Sequence, residues 1–430
     1  METIVIVGGG AGGLELATRL GNSAAKSGRA RVVLVDRWPA HFWKPLLHTV
    51  ASGKHDPQVM AIDYAAQAAE HGFEFARGEV LGVDRDARRV SLAPWIADDG
   101  AEVLPARSIA YDKLVLALGS VTNLFGVPGA EQHVLTLDDV AQAETFRQRF
   151  VDGCIQASAR QAAGAQNPGI DIVIVGGGAT GVELAAELSH SARTLARYNV
   201  HAMDPVRHVR IRILERGALL LPHLHQRQSK RAARHLRALG IKVLLDTAVA
   251  RVDAGAVVDT EGCIYPSAIT LWAAGVKAPP LCATLGLASN ALRQIAVAPS
   301  LQALDDPNVY AIGDCANFVC PILGKVPPRA QAAHQQAVYL AQVLGQASPS
   351  SAPFAYRDYG SLVSLGSLAA VGVLTRGSGR KYAVGGALAR VLYALMYRKH
   401  QVALHGVVRM SAQTVADWIR EKISPSVRLH

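Results

Sequence analysis

Gly8, Gly10 and Gly13 stand in the spacing Gly-x-Gly-x-x-Gly, and Gly176, Gly178 and Gly181 repeat that spacing far downstream. Each set follows a β-branched run, Ile4-Val5-Ile6-Val7 or Ile172-Val173-Ile174-Val175, and opens an alanine- and leucine-rich stretch. The chemistry such a pattern serves is phosphate binding. The first glycine permits a tight strand-to-helix turn, the second lets a pyrophosphate approach the backbone, and the third lets the helix pack against the sheet. The helix N-terminus then offers free N–H groups and the positive end of its dipole. An acid completes each unit. Asp36 ends a strand read over Arg31 to Val35, and Glu215 ends one read over Val209 to Leu214; either can accept hydrogen bonds from ribose hydroxyls. A carboxylate repels a 2′-phosphate, so Glu215 favours NADH over NADPH, with the charge of Arg216 beside it acting the other way. Two such units in one chain imply two dinucleotides, an arrangement that brings two redox rings together.

These groups need a frame of alternating strands and helices. The sequence reads as α/β, with two Rossmann-like dinucleotide-binding domains and a C-terminal segment of amphipathic helices. The strand Asn308 to Ala311 runs into Gly313-Asp314, where the aspartate can accept a bond from a flavin ribityl hydroxyl, cap a following helix, or both. The N-terminal unit therefore reads as the FAD site. After Asp36, the loop Arg37 to His48 is dense in aromatics and prolines, either a surface connection or a wall beside a flat cofactor with Lys44 near its phosphates or ring. Tyr111 to Leu118 reads as a buried strand entering the turn at Gly119-Ser120. Pro327 and Pro328 open a helix on which Gln331, His334 and Gln335 share one side, either solvated or suited to a neutral carbonyl ligand such as a quinone. Glu183 sits one turn into the second fingerprint helix, where the dipole stabilises a carboxylate; it is a helix-start acid or a group that positions nicotinamide or relays protons.

The 430 residues allow two or three domains, and half of them are hydrophobic. The apolar run Ile4 to Val7 reads as the first strand, not a leader. Five cysteines without a framework spacing read as free thiols, and His223 and His225 lack convincing partners for a metal site. Of the net charge of +10, +8 lies from Arg376 onward, where ten Lys or Arg, Arg376 included, face Asp417 and Glu421. Gly345 to Pro353 has a linker's composition, and Ser361 to Leu374 reads as paired strands. Two helical stripes follow: Leu388, Val391, Leu392, Leu395 and Val402, then Ala412, Val415, Ala416, Ile419 and Ile423. Neither offers the roughly 20 apolar residues of a membrane span. Their basic, amphipathic character suits an anionic membrane surface, or alternatively a core-packed or dimer-forming tail. No nucleic-acid-binding motif is present.

Two fingerprints followed by a Gly-Asp strand resemble the two-dinucleotide flavoprotein superfamily. No cysteine precedes Cys154, so the redox thiol pair of its disulfide-reducing members is missing. With His41 to Leu47, Gly119 to Asn123, Trp272 to Lys277 and Val326 to Gln336, the chain resembles the type II NADH dehydrogenases of the bacterial respiratory branch over nearly its whole length. That resemblance implies non-covalent FAD, hydride transfer from NADH to the flavin, and transfer of two electrons to a membrane quinone without proton pumping. It also implies a homodimer held peripherally at the cytoplasmic face of the cell membrane. Carried over by motif, FAD would be held by Gly8, Gly10, Gly13, Asp36, Lys44, Gly119, Gly313, Asp314 and Ala332. NADH would be held by Gly176, Gly178, Gly181, Glu183, Glu215 and Gly275. Gln331, His334 and Gln335 would border the quinone, with Glu183 and Gln331 as the catalytic pair. The expected division is 1–122 and 291–345 for FAD, 123–290 for NADH and 346–430 for the membrane-associating region. A sulfide:quinone oxidoreductase, which needs cysteines near its flavin and has no use for Glu215, and a non-catalytic redox sensor are the rival readings.

Overall fold

The computed structural model describes residues 1–97, 99–165, 168–198, 204–346, 352–366, 369–376, 380–423 and 427–428. The centre of the expected linker, the interior of the Ser191 to Arg207 insertion and the last two residues lie outside them. The helices that position the candidate groups are, in chain order, α1 (Ala11–Leu20), α2 (Leu47–Ala51), α3 (Ala179–Arg197), α4 (Ala330–Gly345) and α5 (Gly386–Ile423). The chain forms two compact units. One comprises Met1–Trp43, Ala61–Val121 and Val276–Arg357; the other comprises Lys44–Met60, Thr122–Gly275 and Asp358–His430.

The first unit is built on a six-stranded sheet in the order Gln302–Ala303, Asp306–Ala311, Lys113–Leu116, Glu2–Val7, Ala30–Asp36, Glu74–Arg77. All pairings are parallel except that of the short edge strand Gln302–Ala303. Val7 registers with Leu116 on one side and Val35 on the other, so the strand ending in Gly8 is central. Ile4 to Val7 are buried on both faces, which explains a continuous apolar run in place of an alternating one. The second unit repeats the design with five parallel strands, ordered Val134–Leu135, Ile269–Trp272, Ile170–Val175, Val209–Leu214, Lys242–Leu244. Ser191 continues α3 instead of opening a loop, and it is held by donation from its hydroxyl to the Ser52 carbonyl at 2.7 Å.

Beyond these sheets, Gly360–Ser364, Ala370–Arg376 and Arg380–Gly385 form an antiparallel sheet, with the first two paired as the composition of that stretch suggests. It leads into α5, which is two helices joined at Gly406, whose φ of 75° interrupts the helical backbone. Arg428 returns to the second unit. Its N–H donates to the Gly53 carbonyl at 2.8 Å, and its guanidinium pairs with Asp56 and Glu144. Among the described residues no helix is long and apolar enough to cross a membrane.

Candidate functional site

In the first unit the glycines divide by what a side chain would meet. A Cβ at Gly13 would overlap the Gly8 carbonyl, so α1 approaches the turn only because Gly13 lacks one. At Gly10 a Cβ would meet nothing within 4 Å, which leaves the N-terminus of α1 open to a ligand. The middle residue, Gly9, is fastened from three sides. Its N–H donates to Asp36 Oδ2 at 2.6 Å, and its carbonyl accepts from Tyr64 Oη at 2.8 Å and from His41 Nδ1 at 2.9 Å. The carbonyl can only accept, so Nδ1 carries the His41 ring proton. Burial raises Asp36 above the usual carboxylate value, against the N–H donors of Gly9 and Trp38. The acid therefore braces the loop while keeping lone pairs for ribose hydroxyls.

At the other side of this sheet, Ser120 Oγ donates to Asp314 Oδ2 at 2.7 Å, and Gln294 donates to the Asp314 carbonyl at 2.9 Å. The Gly313 N–H donates to Gln336 Oε1, a buried side chain on α4, at 2.7 Å. Ala332 is buried one turn earlier. The open approach at Gly10, the braced acid Asp36 and the oriented carboxylate of Asp314 fit a flavin dinucleotide. On α4, His334 Nδ1 lies 2.7 Å from Glu15 Oε2, and Glu15, fully buried on α1, also pairs with Arg19. Gln335 uses both ends of its amide on the Arg357 backbone, at 2.8 and 2.9 Å. Gln331 stands partly exposed near the start of the same helix.

The second unit mirrors the first. A Cβ at Gly181 would overlap the Gly176 carbonyl, and one at Gly178 would meet nothing within 4 Å. Glu215 takes the position of Asp36, accepting from the Gly177 N–H at 2.6 Å and the Gly217 N–H at 2.7 Å. Gly275, at φ 133°, accepts from the Asn123 N–H at 3.0 Å, and Trp272 Nε1 donates to the Asn123 carbonyl at 2.9 Å. Lys44 belongs to this unit and pairs with Asp138 at 3.2 Å.

Glu183 is buried. Its Oε1 accepts from the Ser364 N–H at 2.9 Å, Tyr393 bonds to it from α5, and His48 Nδ1 lies 3.6 Å from Oε2. Burial, reinforced by the nearby Glu187 carboxylate, pushes Glu183 up to about 8, so it carries a proton at neutral pH. Burial likewise holds His48 down to about 4. Sequence reading singled out the two glycine loops with their acids, and Glu183. It missed Gln336 and Glu15 in the first unit, and His48, Lys54, Glu187 and Tyr393 in the second. The one local signal for these was the i, i+4 spacing of Glu183 and Glu187.

Two Rossmann-like sheets, each with an acid-braced glycine loop, define a two-dinucleotide redox protein, and the family model for pyridine nucleotide-disulphide oxidoreductases matches residues 2–337. The chain is 36% identical to the type II NADH:quinone oxidoreductase of Haemophilus influenzae, over 100% of both chains. It is 27% identical to that of Staphylococcus aureus, over 87% of this chain and 90% of the other. The structure of NDH2 from Plasmodium falciparum in complex with NADH shares the fold with a TM-score of 0.82 at 20% identity, covering 100% of this chain and 99% of that one. This chain belongs to the type II NADH:quinone oxidoreductases. The sulfide:quinone oxidoreductase of Aquifex aeolicus shares the fold more distantly, with a TM-score of 0.70 at 17% identity.

Proposed function

We infer that this chain is an FAD-dependent NADH:quinone oxidoreductase, moving two electrons from NADH to a quinone. The observation that carries this reading is the full-length identity of 36% to a curated enzyme of that activity, in a chain with two braced nucleotide cradles. FAD, when bound, supplies the relay between a hydride donor and the quinone. On this reading residues 1–122 and 291–345 hold FAD, 123–290 hold NADH and 346–430 meet the membrane. Gly8, Gly10, Gly13, Asp36, Gly119, Gly313, Asp314 and Ala332 hold the flavin, joined by Lys44. Gly176, Gly178, Gly181, Glu215 and Gly275 hold NADH. Gln331 hydrogen-bonds the quinone carbonyl, while His334 and Gln335 border the quinone and brace α4. Protonated Glu183 acts as the proton donor.

The same reading places the chain peripherally on the cytoplasmic face of a bacterial membrane. Leu388, Val391 and Leu395 stand exposed on the first half of α5, and Val408, Val415 and Ile419 on the second, in the stretch that holds the excess of basic residues. Apolar side chains among cations suit an anionic leaflet. The expected homodimer competes for that face; cosedimentation with anionic vesicles and mass by light scattering separate the two occupants.

The decisive experiment mixes flavin-loaded protein anaerobically with NADH, then with a short-chain quinone, with NADPH and sulfide as parallel donors. Fast bleaching by NADH and recovery on adding quinone are expected. Bleaching by sulfide and not by NADH would overturn the assignment, and bleaching without recovery would favour a sensor.

A further inference from the structure

Behind Glu183, α3 buries a second acid. Glu187 lies one turn on, at i+4, so the two carboxylates share a helix face. The side chain of Glu187 is 2% exposed. Its Oε1 accepts from Lys54 Nζ at 2.8 Å, while its Oε2 is buried without a hydrogen-bond partner. Lys54 keeps 35% of its side chain exposed, so it joins this buried acid to solvent.

The other titratable groups around the two acids are His48 on α2, His55 just beyond it, His190 on α3 and Tyr393 on α5. His48 Nδ1 lies 2.9 Å from the Pro45 carbonyl, which can only accept, so this nitrogen holds the ring proton. Burial lowers all three histidines, His48 and His55 to about 4, and raises Tyr393. These rings and the phenol are therefore neutral at pH 7, leaving Lys54 as the cation of the cluster.

Two carboxylates this close in a dry site do not both ionise without large cost, so one keeps its proton. The position of Lys54 decides which. It bonds to Glu187, and against the upward push of burial its charge and hydrogen bond hold Glu187 below the usual glutamate value. Glu183 is left as the protonated partner.

We propose that Lys54 and Glu187 form a positioning pair that governs the proton on Glu183: the Glu187 charge holds that proton in place, and the Lys54 charge limits the hold. The inference rests on the reading of Glu183 as a proton donor. Reducing a quinone to a quinol takes two electrons and two protons. The hydride of NADH brings both electrons and the equivalent of one proton, and the second proton comes from solvent. Glu183 supplies that second proton, its O–H bond breaking as a quinol O–H forms, and is reprotonated from water at the Lys54 end.

The test is an infrared pH titration of the flavin-loaded full chain, following the protonated-carboxyl band, alongside the pH profile of quinone reduction. The parent band should lose intensity near pH 8, matching the value for Glu183, and Glu183→Gln should remove it. Glu187→Gln takes away the anion that favours the proton, so the midpoint should fall by about one pH unit or more. Lys54→Met takes away the opposing cation, so the midpoint should rise by about as much, and Lys54→Arg should restore it. A purely structural role would not move the two midpoints in opposite directions. Midpoints unmoved in both Glu187→Gln and Lys54→Met would overturn the proposal, even where Glu183→Gln abolishes the alkaline limb of quinone reduction. Conversely, opposite band shifts with an alkaline limb that Glu183→Gln leaves in place would uphold the pair and refute Glu183 as the donor. If Glu187→Gln does not fold, the upward shift in Lys54→Met and its rescue by arginine decide the matter alone.

Discussion

Gly178→Ala and Gly181→Ala add the same methyl group three residues apart and should fail in different ways. At Gly178 the backbone is extended, with φ −74° and ψ −175°, and the new Cβ meets no protein atom within 4 Å. Alanine adopts that conformation without strain, so folding should be unaffected. The methyl would instead stand at the N-terminus of α3, where a pyrophosphate comes closest. Forcing a methyl into a packed contact costs about 1–3 kcal/mol, which weakens nucleotide binding about 5- to 150-fold. At Gly181 the added Cβ overlaps the Gly176 carbonyl, a backbone atom that cannot rotate aside. The cost there falls on the fold, about 1–3 kcal/mol of stability. Calorimetric titration with NAD+ and urea unfolding of both variants separate the outcomes. Parent-like NAD+ affinity in Gly178→Ala would show that the phosphates do not lie over this helix end, and the assignment of the second cradle would fall.

Glu15→Ala should leave Arg19 and His334, both in reach of solvent, without their carboxylate, at a cost of about 1–3 kcal/mol; a urea midpoint within error of the parent would show that these contacts hold nothing together. Gln336→Leu should orphan the Gly313 N–H and cost about 1–3 kcal/mol, read by the same unfolding curve, with flavin content per mole as a second measure. The native state keeps His48 neutral down to about pH 4, while an unfolded histidine takes up a proton near 6.5. The unfolded chain therefore binds more protons between those values, and stability should fall as pH drops from 6.5 toward 4. His48→Asn, which keeps a donor near the Nδ1 position, should flatten part of that slope; an unchanged slope would remove His48 as its source.

The features legible in the sequence were those fixed by local backbone geometry. Gly13 and Gly181 had to be glycine because a carbonyl occupies the space of a Cβ, and that demand shows as a fixed spacing. Ile4 to Val7 announced a strand as an unbroken apolar run, which the structure explains by burial of both its faces. Asp36 and Glu215 were visible because a strand end followed by an acid is itself a short pattern. The groups around Glu183 were not legible, since each arrives from a different part of the chain: His48 and Lys54 from a stretch near α2, Ser364 from a sheet edge, Tyr393 from α5. No periodicity links them. Glu15 was hidden for a different reason. It lies in an apolar helix as a single acid, and nothing local shows that its partner His334 stands on α4, far along the chain.

The bond from each acid to the middle glycine of its loop bears on attempts to change coenzyme preference. The obvious route to accepting NADPH is to replace Glu215 and relieve its repulsion of a 2′-phosphate. Glu215 is also the latch on the Gly177 and Gly217 N–H groups, so a small neutral replacement loosens the phosphate loop as it widens the specificity. With Glu215 at the ribose as proposed, selectivity and loop rigidity would rest on one carboxylate. Redesigning the pocket calls for keeping an acceptor for both N–H groups: they bond to different carboxylate oxygens, so glutamine, with one oxygen and one NH2, would satisfy only one of them.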